Sequence, residues 1–277
     1  MSNTKHETHT AGKEKKSNLN IPLAVIVIPV LYVVSLLVYM YVFGNPANFE
    51  GGDNTKHPLP GNYMGTIYKG GVIVPVLLTL FLTVITFSIE RWLTISKAAG
   101  KGSIETFLRQ IKTHLATNNV HAAIHECDKY KGSIANVVRG TLVKYGELVA
   151  DHTISKDQKL VSLQKEVEEG TSLELPMLEK NLVILATIAS VATLVGLLGT
   201  VMGMIKAFAA IATSGAPDSV ALSTGISEAL INTALGIGSS TIAIIMYNVF
   251  TTRIDKLTYG IDEAGFSIIQ SFAANNK

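Results

Sequence analysis

Glu228 is the residue whose type and position most directly imply chemistry. It is the only charged side chain in residues 220–250, a run of apolar, small and hydroxyl residues. An ionised carboxylate at the centre of a bilayer costs about 2.5 to 3.5 kcal/mol even on the lenient insertion scale. A carboxyl group there is expected to gain and lose a proton as its surroundings change, which is what a proton carrier must do. The plainer alternative is a carboxylate that pairs with a neighbouring chain and only fixes assembly.

Thr224, Glu228, Asn232 and Ser239 form a polar stripe at helical spacing, with Thr233, Gly236 and Ser240 on the adjoining face. In the preceding apolar stretch Ala189, Thr193, Gly196, Thr200, Gly203 and Ala207 recur three and four apart, an arrangement that lets helices approach closely in lipid. Gly196, Gly199, Gly203 and Gly236 are the expected packing glycines. Only the run TSGAPDS, residues 213–219, joins the two stretches, which makes them an antiparallel pair. Thr200 lies 13 residues before Thr213 and Thr233 lies 14 after Ser219, so a rise of about 1.5 Å per residue sets both hydroxyls about 20 Å below the turn. Glu228, by the same rise, lies about 14 Å down and near mid-membrane. Thr200, Thr233 and Asn232 are the candidate relays to Glu228, although threonine hydroxyls in membrane helices also bond carbonyls of their own helix. Lys206 is the other charge in these stretches. It points about 120 degrees away from the small-residue stripe and is expected to snorkel to the outer interface, with an ion pair as the alternative.

Other chemistries find little support. His121 and His125 stand one turn apart with Cys127 nearby, but no second ligand pair accompanies them, so no metal is expected. A single cysteine cannot form an internal disulfide. No catalytic triad, metal quartet or phosphate loop is visible, and neither enzymatic activity nor a cofactor is expected. The net charge of +2 comes from dispersed residues, which argues against nucleic acid as a partner.

The elements that must carry Glu228 are membrane helices. With 48% hydrophobic and 16% charged residues and a mean hydropathy of +0.35, the chain is too apolar for an ordinary soluble domain. Residues 21–43, 71–89, 182–212 and 220–250 each reach the roughly 20 residues needed to span a bilayer. Lys5, Lys13, Lys15 and Lys16 precede the first span, whereas residues 44–70 hold only Lys56 and Lys69. The positive-inside rule therefore places both termini in the cytoplasm. The first span exceeds the usual h-region of a secretory signal and is expected to be retained. Arg91 and Trp92 read as interfacial anchors at the inner end of the second span.

Residues 93–180 are rich in charges of both signs and read as a cytoplasmic extension of three or four helices, punctuated at Gly102, Gly132 and Asp151 to Thr153. Ile104, Leu108 and Ile111 share one face, and Leu160, Leu163 and Val167 a later one. The expected organisation is a tail (1–20), an extra membrane helix (21–43), a periplasmic loop (44–70), a membrane helix (71–92), the helical extension (93–180), a membrane hairpin (181–250) and a cytoplasmic tail (251–277). The fold class is an all-α polytopic membrane bundle.

GLLGTVMGMIKAF at 196–208, GISEALINTALGI at 225–237 and the pair Tyr247–Asn248 resemble the signature of the ExbB/TolQ group within the MotA/TolQ/ExbB proton channel superfamily, most closely ExbB. The likeness covers residues 182–250 strongly and the second span, ending in ERW, more weakly. It implies an inner-membrane energy transducer, typically a homo-pentamer around a dimer of a single-span ExbD/TolR-type partner that supplies an essential aspartate. Proton flow would drive rotation and pass force to a TonB- or TolA-type protein. Glu228 stands at the family's pore glutamate and Thr200 and Thr233 at its pore threonines. The chain departs from the family in its additional first span and in Ile242, where a proline is common, which puts the local bend of the last helix in question.

The leading expectation is a proton-driven subunit energising TonB-dependent outer-membrane transport. The alternatives are a TolQ-like envelope-maintenance or gliding-motor subunit, and a non-conducting scaffold. The acid at Glu228 argues against the flagellar type.

Overall fold

The computed structural model describes residues 23–212 and 218–275. The basic N-terminal tail, the start of the expected first span, most of the 213–219 connection and Lys277 lie outside the described residues. The helices are α1 (Leu23–Leu37), which continues as a π-helical turn (Val38–Phe43), α2 (Tyr63–Tyr68), α3 (Val74–Ala98), α4 (Ile104–Ala116), α5 (Val120–Tyr130), α6 (Ser133–Ala150), α7 (Lys156–Glu179), α8 (Leu182–Ala212) and α9 (Ser219–Asn275). Four helical stretches, those containing α1, α3, α8 and α9, are long and apolar enough to cross a membrane. This is an all-α polytopic membrane protein.

α8 and α9 form the central antiparallel hairpin, α3 packs against both, and α1 packs on α3. Only 6% of the apolar window of α1 is buried, against 50% for α3, so α1 lies at the periphery. The extension contains four helices. Gly102, Gly132 and the 151–153 turn are breaks as expected; a further break after Ala116 passes through Asn118, whose backbone is left-handed at φ 54°. Leu108 and Ile111 are buried with Phe107, and Leu163 and Val167 with the C-terminal part of α9. Cys127 is buried in this core, and burial pushes its thiol up to about 12.

The expected C-terminal tail is instead a continuation of the last membrane helix. Phe250, Ile254, Leu257, Ile261, Ala264, Ile268 and Phe272 are buried at steps of three and four residues, one continuous apolar face that α4, α6 and α7 cover. α9 passes through Ile242 as helix.

Arg91 is not a lipid-interface anchor. Its side chain is 2% exposed and pairs with Glu90, while Nη1 donates to the carbonyls of Leu178 (3.3 Å) and Met177 (3.4 Å) at the end of α7. Those terminal carbonyls lack intrahelical donors, and a guanidinium fork can satisfy them. Asn181, left-handed at φ 65°, donates to the same Glu90 at 3.3 Å. The break between α7 and α8 is thus tied to α3. Trp92 is 46% exposed and carries Arg253 over its ring at 4.0 Å.

Residues 44–70 form a folded cap. Asn48 Nδ2 donates to Val42 O at 2.8 Å and Phe43 O at 3.1 Å, closing the π turn. Tyr39 stacks on Tyr68 with centroids 4.7 Å apart, and Lys69 donates to the carbonyls of Asn54 and Thr55 at 2.9 Å. The cap thereby fixes the Gly70–Gly71 corner where α3 begins.

Removing one partner of a buried ion pair costs about 3 to 5 kcal/mol. Arg91→Ala is expected at the low end of that range, because Glu90 is 28% exposed, and should appear as a lowered thermal unfolding midpoint in detergent.

Candidate functional site

The site is built on a seam where the backbones of α8 and α9 touch. A Cβ on Gly203 would lie 2.6 Å from the nitrogen of Ala229, one on Gly225 would lie 2.7 Å from that of Ala207, and one on Gly236 would lie 2.8 Å from the Cα of Gly196. Gly199 faces the Asn232 side chain. Gly196, Gly199, Gly203 and Gly236 therefore all lie in the seam. Gly225 was missed by the sequence reading, yet Gly203/Ala207 and Gly225/Ala229 are both small residues four apart, the spacing that signals close packing.

The seam brings Thr200 and Thr233 together: their hydroxyls are hydrogen-bonded to each other. Each also lies near a carbonyl of its own helix, Thr200 near Gly196 O at 3.3 Å and Thr233 near Ala229 O at 3.1 Å. With two hydroxyl protons and four acceptor oxygens in reach, the two hydroxyls and the two carbonyls, the pair can reorient without losing its bonding. Ser240 donates across the seam to Ala189 O.

Glu228 is buried, with its side chain 6% exposed, and both oxygens accept from Lys206 Nζ, at 2.6 and 2.9 Å. This corrects the snorkelling expected of Lys206. Side chains of a helix lean toward its own N-terminus. α8 rises toward the cap and α9 descends from it, so Lys206 leans down and Glu228 leans up until they meet. Lys206 also stands seven residues after Gly199, within roughly 20 degrees of it at 100 degrees per residue, so it borders the seam. Its side chain remains 52% exposed.

The turn that leads into α3 closes the site from above. Gly71 is left-handed at φ 76°, and a Cβ there would collide with Oε1 of Glu228. Asn232, one turn beyond Glu228, is fully buried; Nδ2 donates to Gly70 O at 2.8 Å, while Oδ1 has no partner. Ser239 is buried and bonds its own helix at Leu235 O. Thr224 lies nearer the cap and bonds Val220 O. His121, His125 and Cys127 belong to the extension; among the described residues no three potential metal ligands come together.

Residues 134–263 match the MotA/TolQ/ExbB proton channel family, a stretch that holds the seam, both threonines and Glu228. The chain carries a domain of that family. The family domain begins at α6, so α1, the cap and α3 lie before it. Among individual relatives, the Tol-Pal system protein TolQ of Pseudomonas aeruginosa is 25% identical over 183 residues, covering 64% of this chain and 79% of the relative. The biopolymer transport protein ExbB of Pseudomonas putida is 37% identical over 86 residues, covering 31% of this chain and 26% of the relative. That of Helicobacter pylori is 42% identical over 81 residues, covering 29% and 56%. The chain thus spans between a quarter and somewhat over half of these ExbB relatives.

Introducing cysteines at Thr200 and Thr233 should give an oxidative crosslink within the family domain. Adding Gly203→Leu, whose side chain must occupy the space of the Ala229 backbone, should cut its yield at least tenfold on a gel.

Proposed function

We propose that this chain is the proton-conducting subunit of an energy-transducing complex in the bacterial inner membrane, with Glu228 as the group that takes up and releases the proton. The observation that carries the reading is a buried carboxylate, in a helix of a proton channel family domain, held by one half-exposed ammonium. When Glu228 is ionised it binds Lys206. Protonation leaves a neutral carboxyl that no longer holds the ammonium and whose O–H can hydrogen-bond to the unpartnered Oδ1 of Asn232 while the proton stays on Glu228. Thr233 and Thr200, about 7 Å further along the helix axis, extend the hydroxyl path. Transfer ends when Glu228 loses the proton to the other side and captures Lys206 again.

One chain offers one such acid, so the working unit is proposed as a homo-oligomer, a pentamer by the family resemblance, around a single-span ExbD/TolR-type partner. It would energise a TonB-type protein for outer-membrane transport, with both termini of this subunit in the cytoplasm. The role is transport rather than enzymatic catalysis. A TolQ-like role in envelope maintenance is the second reading, favoured by the TolQ relative, whose alignment covers most of both chains.

Deleting the gene and returning wild type or Glu228→Gln separates these readings. The TonB-type role predicts lost growth on a chelated iron source that needs active outer-membrane uptake, restored by wild type and not by Glu228→Gln. Normal iron growth with detergent sensitivity instead would support the TolQ-like role, and full rescue of either defect by Glu228→Gln would refute proton handling there.

A further inference from the structure

The family domain does not account for a basic cavity where α3 leaves the membrane. It has a volume of about 740 Å³ and is lined by Lys97, Lys101 and Lys131 together with Ser96, Gly132 and Ser133. All three lysines are exposed, and among the described residues none of them makes an ion pair. The one carboxylate on the wall, Glu174, already accepts from Asn136 at 2.9 Å.

Two turns are locked together to make this cluster. Lys101 N donates to Tyr130 O at 2.8 Å, and Tyr130 Oη donates back to Ala99 O at 2.8 Å. Gly132, left-handed at φ 91°, faces Ala98 O, and Gly100, at φ 76°, faces Lys131 O, with no room for a Cβ at either. Three lysines therefore line one cavity, a lining complementary in charge to an anion. α6 begins at Ser133 without a side-chain cap on its first amides, which adds the positive end of a helix dipole to the same wall.

The depth of the cluster identifies the anion. Lys97 lies five residues beyond Trp92, about 7.5 Å along the helix, and the headgroup layer of a bilayer is about 5 to 7 Å deep on each side. Directly above Lys97, at four-residue steps on the same face, stand Leu93 and Ile89, which are 64% and 58% exposed. An apolar strip thus leads down into a basic pocket. We propose that this cavity binds the phosphate headgroup of an anionic phospholipid from the adjacent leaflet, with an acyl chain along Leu93 and Ile89.

Titrating a short-chain phosphatidylglycerol into the detergent-solubilised full chain, read by native mass spectrometry, tests this. Each lysine near a membrane surface is worth roughly fivefold in affinity for acidic lipid, so replacing all three with glutamine should weaken binding on the order of a hundredfold. Short-chain phosphatidylcholine should bind no better than to that variant, and replacing Lys129, Lys144 and Lys165, which are already ion-paired, should leave phosphatidylglycerol affinity unchanged. Equal weakening by the two triple variants would overturn the site in favour of diffuse charge. Inorganic phosphate displacing the lipid at similar concentration would overturn the lipid as its ligand. An intact Thr200/Thr233 cysteine crosslink in the lysine variant excludes misfolding as the cause.

Discussion

Everything at the centre of this protein depends on two helix backbones touching. Where Gly203 meets Ala229 and Gly236 meets Gly196, no side chain separates α8 from α9. Lipid tails are as apolar as leucine, so burying hydrophobic surface does little to hold helices together inside a membrane; van der Waals contact and interhelical hydrogen bonds must do it. The glycines allow that approach, and the approach brings the Thr200 and Thr233 hydroxyls and the Ser240 to Ala189 bond into range. Without it these cross-helix bonds would be lost, and the two threonines would keep only the carbonyls of their own helices.

The same seam makes an intramembrane acid tolerable. Glu228 sits beside the contact of Gly225 and Ala229 with α8, and the opposed lean of side chains on antiparallel helices delivers Lys206 to it. The two partners are unequal: losing the ammonium would strand the buried carboxylate, whereas the half-exposed Lys206 can be solvated without Glu228. Gly71 and Gly70 complete the enclosure from α3, and the cap fixes them in turn through the Tyr39, Tyr68 and Lys69 contacts. Packing, cap and ion pair are thus one construction.

Much of this was legible from residue spacing. Periodicity located the membrane spans, and counting from the 213–219 connection set Thr200 and Thr233 at one depth. Three features escaped for identifiable reasons. Lys206 was judged by its helix angle and its place near the outer end of its span, without the direction in which its side chain leans. Arg91 was judged by its place at a span end, although its carbonyl partners at Met177 and Leu178 lie 86 and 87 residues away in sequence. The C-terminal part of α9 was read only as a tail carrying Arg253 and Lys256, while the buried face from Phe250 to Phe272 continues underneath. Each miss involves a tertiary partner that a local window does not contain.

The central claim is that Glu228 exchanges protons while Lys206 holds it between exchanges. Its most direct measurement is proton uptake into vesicles containing this chain with its partner subunit, driven by an imposed potential, for wild type and for assembled Glu228→Gln. Wild type should take up protons, and the variant should lose at least tenfold of that uptake. Undiminished uptake in a correctly assembled Glu228→Gln complex would contradict it.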